Sequence, residues 1–353
     1  MQKRHYPAII GAALLLALST AYLNSLVEVP TSRAASELQL DLSASRYQRH
    51  IGYLAGDAMK GRGDGSPELD QAADYIAQQF RIAGLRPAGA GNTYFQNFEI
   101  TTGAKPGGRN ELQLGGTRLN VNEDFVPILF SNTAEFEGRV AFAGYGITAP
   151  EMHYDDYRGV DAAGKIVVVF RHEPQELDAK SPFDGTNFTS HASFINKAIN
   201  ARQHGAKGIV FITDPNNHEK DDVGPATRQV ENDDMGIPSV HARRDVVMRV
   251  FKEAGKDLAA IQKKIDTDLE TQSFEAAAVR AKIATDVVRT RKSVRNVLGM
   301  IPGANPLLRN EWVVVGAHYD HLGLGERDSL APSQVGQIHH GADDNASGTS
   351  GVL

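Results

Sequence analysis

Four residues near the end of the chain have the types and spacing for metal chemistry. His318 and Asp320 stand two apart in "GAHYDHLG", and the adjacent Asp343 and Asp344 stand about 25 residues on in "GADDNASG". With no cysteine in the chain, thiolate nucleophiles, disulfides and cysteine-based zinc fingers are excluded, and any metal must sit on His, Asp or Glu. On an extended backbone, residues two apart point to the same side. His318 can therefore bind a cation while Asp320 approaches the other ring nitrogen and fixes its orientation. Small residues around Asp344 let the backbone approach closely, and Asn345 can hydrogen-bond within the turn. Asp344 could then present one oxygen to each of two cations about 3.5 to 4 Å apart, the spacing of paired-metal hydrolases. Read alone, "GADDNASG" is equally an acidic turn.

The elements that would position these groups can also be read. "VRAKIATDVV", "NVLGMIPG" and "EWVVVGAHYDHLG" are three strand candidates. The unbroken apolar run Trp312 to Val315 predicts a central strand covered on both faces. His318 and Asp320 fall just beyond its carboxyl end, where functional groups gather in open α/β sheets. Ser347 to Leu353 begins like a helix. The sequence after the strands offers almost no helices to cover them, so their apolar faces and an edge would be exposed. The expectation is that the chain is a fragment of a longer reading frame.

Upstream, a glycine-rich loop leads into an amphipathic helix. Ser66 is the expected N-cap, Pro67 the first helical residue and Gly84 the C′ residue, while Leu69, Ala72, Ala73, Ile76, Phe80 and Ala83 recur at helical spacing. The tripeptide Arg62-Gly63-Asp64 resembles an integrin ligand but is expected here as a chance triplet in a turn. From about Gly116 to Ala277 short strands alternate with helices over Phe194 to His204 and Arg243 to Ala254, as in a self-contained α/β module. Its His153, Asp155, Asp156, His172, His191, His204, His218 and His241 show no spacing of the H-x-x-x-H kind. They are expected to be surface histidines and turn aspartates.

The chain begins with Lys3, Arg4 and His5 before an apolar run from Ala8 to Leu23, the order of an export signal. That run is either cleaved, with Ser19-Thr20-Ala21 as a candidate site, or kept as an anchor, although it is short for a membrane span. A mixed stretch to Ser43 reads as a tether. The 353 residues are 41% hydrophobic with a net charge of -6. That is enough material for about two domains, and no basic run suggests a nucleic-acid face.

"VVVGAHYDHLG" followed by "GADDNASG" resembles the co-catalytic zinc exopeptidases, a family that includes secreted aminopeptidases, glutamate carboxypeptidases and non-catalytic receptor relatives. The resemblance extends to "LAGDAMKGRGDGSPELDQAADYIAQQF", and "GYGITAPEMHYDDYRGVDAAGKIVVVF" is similar to a protease-associated domain. It implies an α/β fold: a mixed sheet sandwiched by helices, incomplete here, with an inserted α/β protease-associated domain. The implied divisions are a signal peptide or anchor at 1–24 and a linker at 25–43. Peptidase residues at 44–115, the inserted domain at 116–277 and the start of the catalytic core at 278–353 complete them. The resemblance makes His318 a terminal zinc ligand, Asp320 the catalytic carboxylate that orients it, Asp344 the ligand bridging two Zn2+ ions, and Asp343 a neighbour only. Family members supply a Glu-Glu pair, a further acidic ligand and a final His after this point.

The implied protein is an exported, periplasmic or extracellular zinc aminopeptidase acting on peptides. It has no nucleic-acid partner and no membrane partner unless the N-terminal segment is retained. The 353 residues by themselves are expected to be inactive. The alternative is a peptide- or protein-binding relative without chemistry. Side-chain specificity and oligomeric state are not encoded legibly.

Overall fold

The computed structural model describes residues 43–221, 223, 233–326 and 329–353. The expected signal segment, and the tether apart from Ser43, lie outside the described residues. No helix among the described residues is long and apolar enough to cross a membrane.

The chain opens with helices α1 (Ala44–Leu54) and α2 (Pro67–Ile82). The strands that follow are β1 (Arg86–Pro87), β2 (Phe95–Pro106), β3 (Glu111–Leu114), β4 (Thr117–Leu119), β5 (Phe125–Pro127), β6 (Ala134–Phe142), β7 (Thr148–Ala149), β8 (Tyr154–Asp155) and β9 (Ile166–Phe170). Next come α3 (Phe194–Gln203), β10 (Gly208–Ile212), β11 (Ser239–Ala242), α4 (Arg244–Glu253) and α5 (Leu258–Asp268). The chain closes with β12 (Phe274–Thr285), β13 (Val287–Val297), β14 (Gly299–Met300) and α6 (Gly348–Val352).

Helix α2 forms as its sequence predicts. The Ser66 hydroxyl accepts from the Leu69 amide at 3.1 Å, Pro67 occupies the first turn, and Leu69, Ala72, Ala73, Ile76 and Phe80 are buried along one face. Ala83 lies past the helix end and is exposed.

Eight strands form one mixed sheet in the order β4-β3-β12-β6-β9-β10-β11-β5. Pairing is parallel from β6 through β9 and β10 to β11, and antiparallel toward both edges. Every residue of β9 and β10 is buried, because alternate side chains enter different layers. Ile166, Val168, Phe170, Val210 and Ile212 join Val247, Phe251, Leu258 and Ile265 of α4 and α5 on one side. Val167, Val169, Ile209 and Phe211 pack on Ala198 and Ala201 of α3 on the other. Asp257 caps α5 by accepting from the amides of Ala259 and Ala260.

Asp156 anchors the turn after β6. It is fully buried and accepts from the Tyr145 and Ile147 amides and the Tyr154 hydroxyl. Burial outweighs these donors and pushes its pKa from 3.8 up to about 7. Between those values the folded protein keeps a proton that the unfolded chain has lost, so this group's contribution to stability falls as pH rises from about 4 to about 7. The shift bounds the effect at about 4 kcal/mol. The stability difference between wild type and Asp156→Asn, measured by denaturant unfolding, should therefore shrink from pH 4 to pH 7. A difference that is flat or grows would refute the assignment.

Outside this sheet, β2 and β13 form a long antiparallel ribbon from Pro106↔Val287 to Phe95↔Val297, and β1 pairs with β14. Helix α2 is tied to the ribbon by Arg295, which reaches Asp70 and Asp74 at 3.1 and 3.0 Å. The first two of the three strand candidates near the end fall on β12, β13 and β14. The third does not form a strand, which corrects the sequence expectation. Trp312, Val313, Val314 and Val315 are 71 to 91% exposed, because no described strand runs beside them to share a ladder. A continuous apolar run makes a central strand only where neighbours supply hydrogen bonds on both edges.

Candidate metal centre

The loops around His318 are held together by Arg62. Its side chain is completely buried. Nε donates to the Tyr319 carbonyl at 2.7 Å, Nη1 to the carbonyls of Leu54 and of His340, and Nη2 to the Gly341 carbonyl at 2.9 Å. One planar cation thus ties the end of α1, the His318 segment and the Asp344 loop to a single point. Burial lowers the Arg62 pKa, and the charges of Asp320 and Asp344 oppose that shift. The structure therefore removes Arg62-Gly63-Asp64 from consideration as a displayed tripeptide.

Backbone contacts continue the bracing. The His321 and Gly323 amides donate to the carbonyls of Arg62 and Gly61 at 3.1 Å each, and the His339 amide donates to Gly323 at 2.9 Å. Gly61 has φ +72, and a Cβ there would stand 2.3 Å from the His339 carbonyl oxygen. Gly341 has φ +60, and a Cβ would meet the His321 ring at 2.5 Å. Both glycines are required by close approach as well as by a left-handed backbone.

Within this frame the structure brings His318, Asp320 and Asp344 together. His318 Nε2 lies 3.0 Å from Asp344 Oδ1, and Nδ1 lies 3.4 Å from Asp320 Oδ1. The second oxygen of Asp344 faces His321 Nδ1 at 3.7 Å. Asp343 does not converge with them; its carbonyl accepts from the Ser347 hydroxyl at 2.7 Å. These groups border a cleft of about 670 Å³ also lined by Lys60, Glu68 and Lys292.

His321 is a participant the sequence reading did not single out, although it stands in the same quoted segment. Its ring is largely buried, and burial lowers its pKa against the opposing charge of Asp344, which favours the neutral imidazole with a lone pair available. The donor chemistry, two imidazoles facing the two oxygens of one carboxylate, fits a divalent transition metal. It is short of the roughly three protein ligands that each catalytic zinc takes, so these residues do not complete a two-ion site alone.

The reading of the remaining histidines and aspartates as surface histidines and turn aspartates holds for His153, which is exposed, and is corrected for others. His241 and Asp156 are buried, and the His172 side chain is only 12% exposed. His204 stacks on Tyr157 with ring centres 4.1 Å apart. Spacing could not reveal this, because burial was decided by where the strands of the sheet end.

Parts of the chain are similar to known families. Residues 296–353 match Peptidase family M28, and residues 124–250 match the PA domain. The two matches lie in separate stretches of the chain. Among solved structures, an aminopeptidase from Aneurinibacillus sp. strain AM-1 is 20% identical over 87% of this chain and 56% of its own, with a TM-score of 0.36. A zinc aminopeptidase from Bacillus subtilis is 17% identical over 87% and 55%, with a TM-score of 0.30. A Peptidase M28 precursor from Shewanella amazonensis is 13% identical over 72% and 51%, with a TM-score of 0.29. This chain thus spans about half the length of the solved structures it matches. No curated protein matches it. His318, Asp320 and Asp344 all fall inside the stretch that matches Peptidase family M28.

Proposed function

We propose that this chain is part of an exported metallo-exopeptidase, an aminopeptidase whose site uses two zinc ions. In this reading residues 44–115 and 278–353 belong to the peptidase domain, 116–277 to the inserted PA domain, and the remaining ligands to further residues of a longer protein. The supporting observation is the Asp344 carboxylate, whose two oxygens face different imidazoles while Asp320 stands behind His318.

His318 would hold zinc through Nε2 and Asp344 through its carboxylate. Zinc, when bound, polarises a substrate carbonyl and acidifies water. The protein's part is positioning. Asp320, 3.4 Å from Nδ1 of His318, would accept its N–H and so select the tautomer whose Nε2 lone pair points at the site. Arg62 fixes the backbone on both sides of the cleft, at Tyr319 and at Gly341. Lys60, Glu68 and Lys292 on the wall offer charges to a peptide terminus.

The 353-residue chain assayed alone should not turn over an aminoacyl-nitroanilide, because its ligand set serves at most one ion. A protein with the full set should do so, and EDTA should abolish the reaction. Zinc-loaded full-length protein inert toward a panel of such substrates would sink the proposal. Asp320→Asn in that protein should lower turnover by about 10- to 100-fold while keeping most of the zinc. Metal analysis alongside kcat checks it, and full activity in the variant would show that Asp320 orients nothing.

A further inference from the structure

A second cluster of ligand-type side chains lies far from His318 in sequence, inside the PA domain. Strands β9 and β10 run parallel side by side and end together at Phe170 and Ile212, and the loop leaving each carries two ligand residues four apart. "HEPQE" supplies His172 and Glu176, and "DPNNH" supplies Asp214 and His218. One donor atom from each of the four lies within 4.8 Å of all the others. His172 Nδ1 is 2.6 Å from Asp214 Oδ1 and 3.8 Å from Glu176 Oε2. His218 Nε2 is 2.8 Å from Glu176 Oε1 and 3.5 Å from Asp214 Oδ2.

Two features separate this cluster from an ordinary hydrogen-bonded network. The first is that its donors are buried and poorly used. The Glu176 and Asp214 side chains are 2% and 0% exposed. Both Glu176 oxygens, Asp214 Oδ2 and His218 Nε2 are shielded from solvent without a well-aligned hydrogen bond, although the Asn217 amide stands beside Glu176. Such orphaned groups are costly unless something binds them.

The second feature is charge. Lys197, the buried cation beside the cluster, spends its ammonium on the carbonyls of Phe170 and His172. Glu173, equally buried, is satisfied by the Thr189 amide and hydroxyl. Among the described residues, the basic groups within ion-pair distance of Glu176 and Asp214 are the two imidazoles. The His172 ring stacks on His218 at 4.0 Å and on Phe188 at 5.1 Å, and the two imidazoles would open apart to point at one ion.

We propose that His172, Glu176, Asp214 and His218 form a structural zinc site that pins together the loops following β9 and β10. Two imidazoles and two carboxylates suit Zn2+, or Co2+ in its place, better than the oxygen-only shells of Ca2+ and Mg2+. Four protein ligands close a tetrahedron and leave no open position, which assigns the ion to stability and not to turnover. Ligand atoms about 2.0 Å from a tetrahedral ion stand about 3.3 Å from one another, so binding moves His172 Nδ1 and Asp214 Oδ1, now 2.6 Å apart, roughly 0.7 Å further apart and draws the widest pairs inward.

The test uses the full 353-residue chain carrying His318→Gln and Asp344→Asn, so that the M28 segment contributes no zinc and the outcome is independent of the peptidase proposal. After chelation, dialysis against zinc should restore about one ion per chain, read by mass spectrometry, and raise the melting temperature, whereas magnesium should do neither. Adding His172→Gln and His218→Gln should remove the ion and the thermal shift while leaving the metal-free melting temperature near its starting value. No zinc uptake in the two-site background, or uptake unchanged by the histidine substitutions, overturns the proposal. X-ray absorption at the zinc edge of the background protein covers the case in which the histidine variant does not fold. Two imidazoles in the shell support the site, and a shell lacking imidazole refutes it.

Discussion

Asp344→Ala, in a protein carrying the complete ligand set, is expected to lose bound zinc and peptide hydrolysis together. The two oxygens of Asp344 face His318 at 3.0 Å and His321 at 3.7 Å, so removing one carboxylate withdraws a ligand from whatever lies on either side. Several kcal/mol of charge stabilisation depend on the ion, which corresponds to a fall in kcat/KM of roughly a thousand-fold or more. The contrast with Asp320→Asn carries the information. Asp320 acts through His318, so its loss should leave the metal largely in place. Equal zinc content in wild type and Asp344→Ala would show that Asp344 does not bridge, whatever happened to the rate.

The second large effect concerns stability. Arg62→Ala should destabilise the chain by about 3 to 5 kcal/mol. The guanidinium satisfies four carbonyls, those of Leu54, Tyr319, His340 and Gly341, and its removal leaves buried acceptors without a donor as well as a cavity. Arg62→Lys should rescue little, because a single ammonium cannot span acceptors on three segments in a plane. The loss should be concentrated around 318–323 and 339–341. Thermal unfolding gives the size, and amide exchange at His321, Gly323 and His339, whose hydrogen bonds depend on this bracing, gives the location. A variant melting within a degree of wild type would contradict the role assigned to Arg62.

Legibility differed between parts of the chain for physical reasons. Helix α2 could be read because its cap, its proline and its apolar face are local. Strands β9 and β10 were readable as β-branched runs between turns, and α3 and α4 as periodic segments closed by glycine. Helix α5 was missed despite Asp257, since a single cap before a mixed segment is a weak local signal. At Trp312 to Val315 composition misled: apolar character records a preference for burial, and only neighbouring strands can grant it.

The same division runs through the chemistry. Sequence alone determined that any metal must rest on imidazole and carboxylate, that the His318 to Asp320 spacing allows one to orient the other, and that glycines flank Asp344. Tertiary structure decided that Asp344 meets both His318 and His321, that Arg62 is a buried brace, and that His172, Glu176, Asp214 and His218 converge. The reason is geometric. Ligand pairs within one loop are fixed by a few backbone dihedrals, whereas the pairs on the two different loops meet only because the ladder between β9 and β10 sets their strand ends side by side.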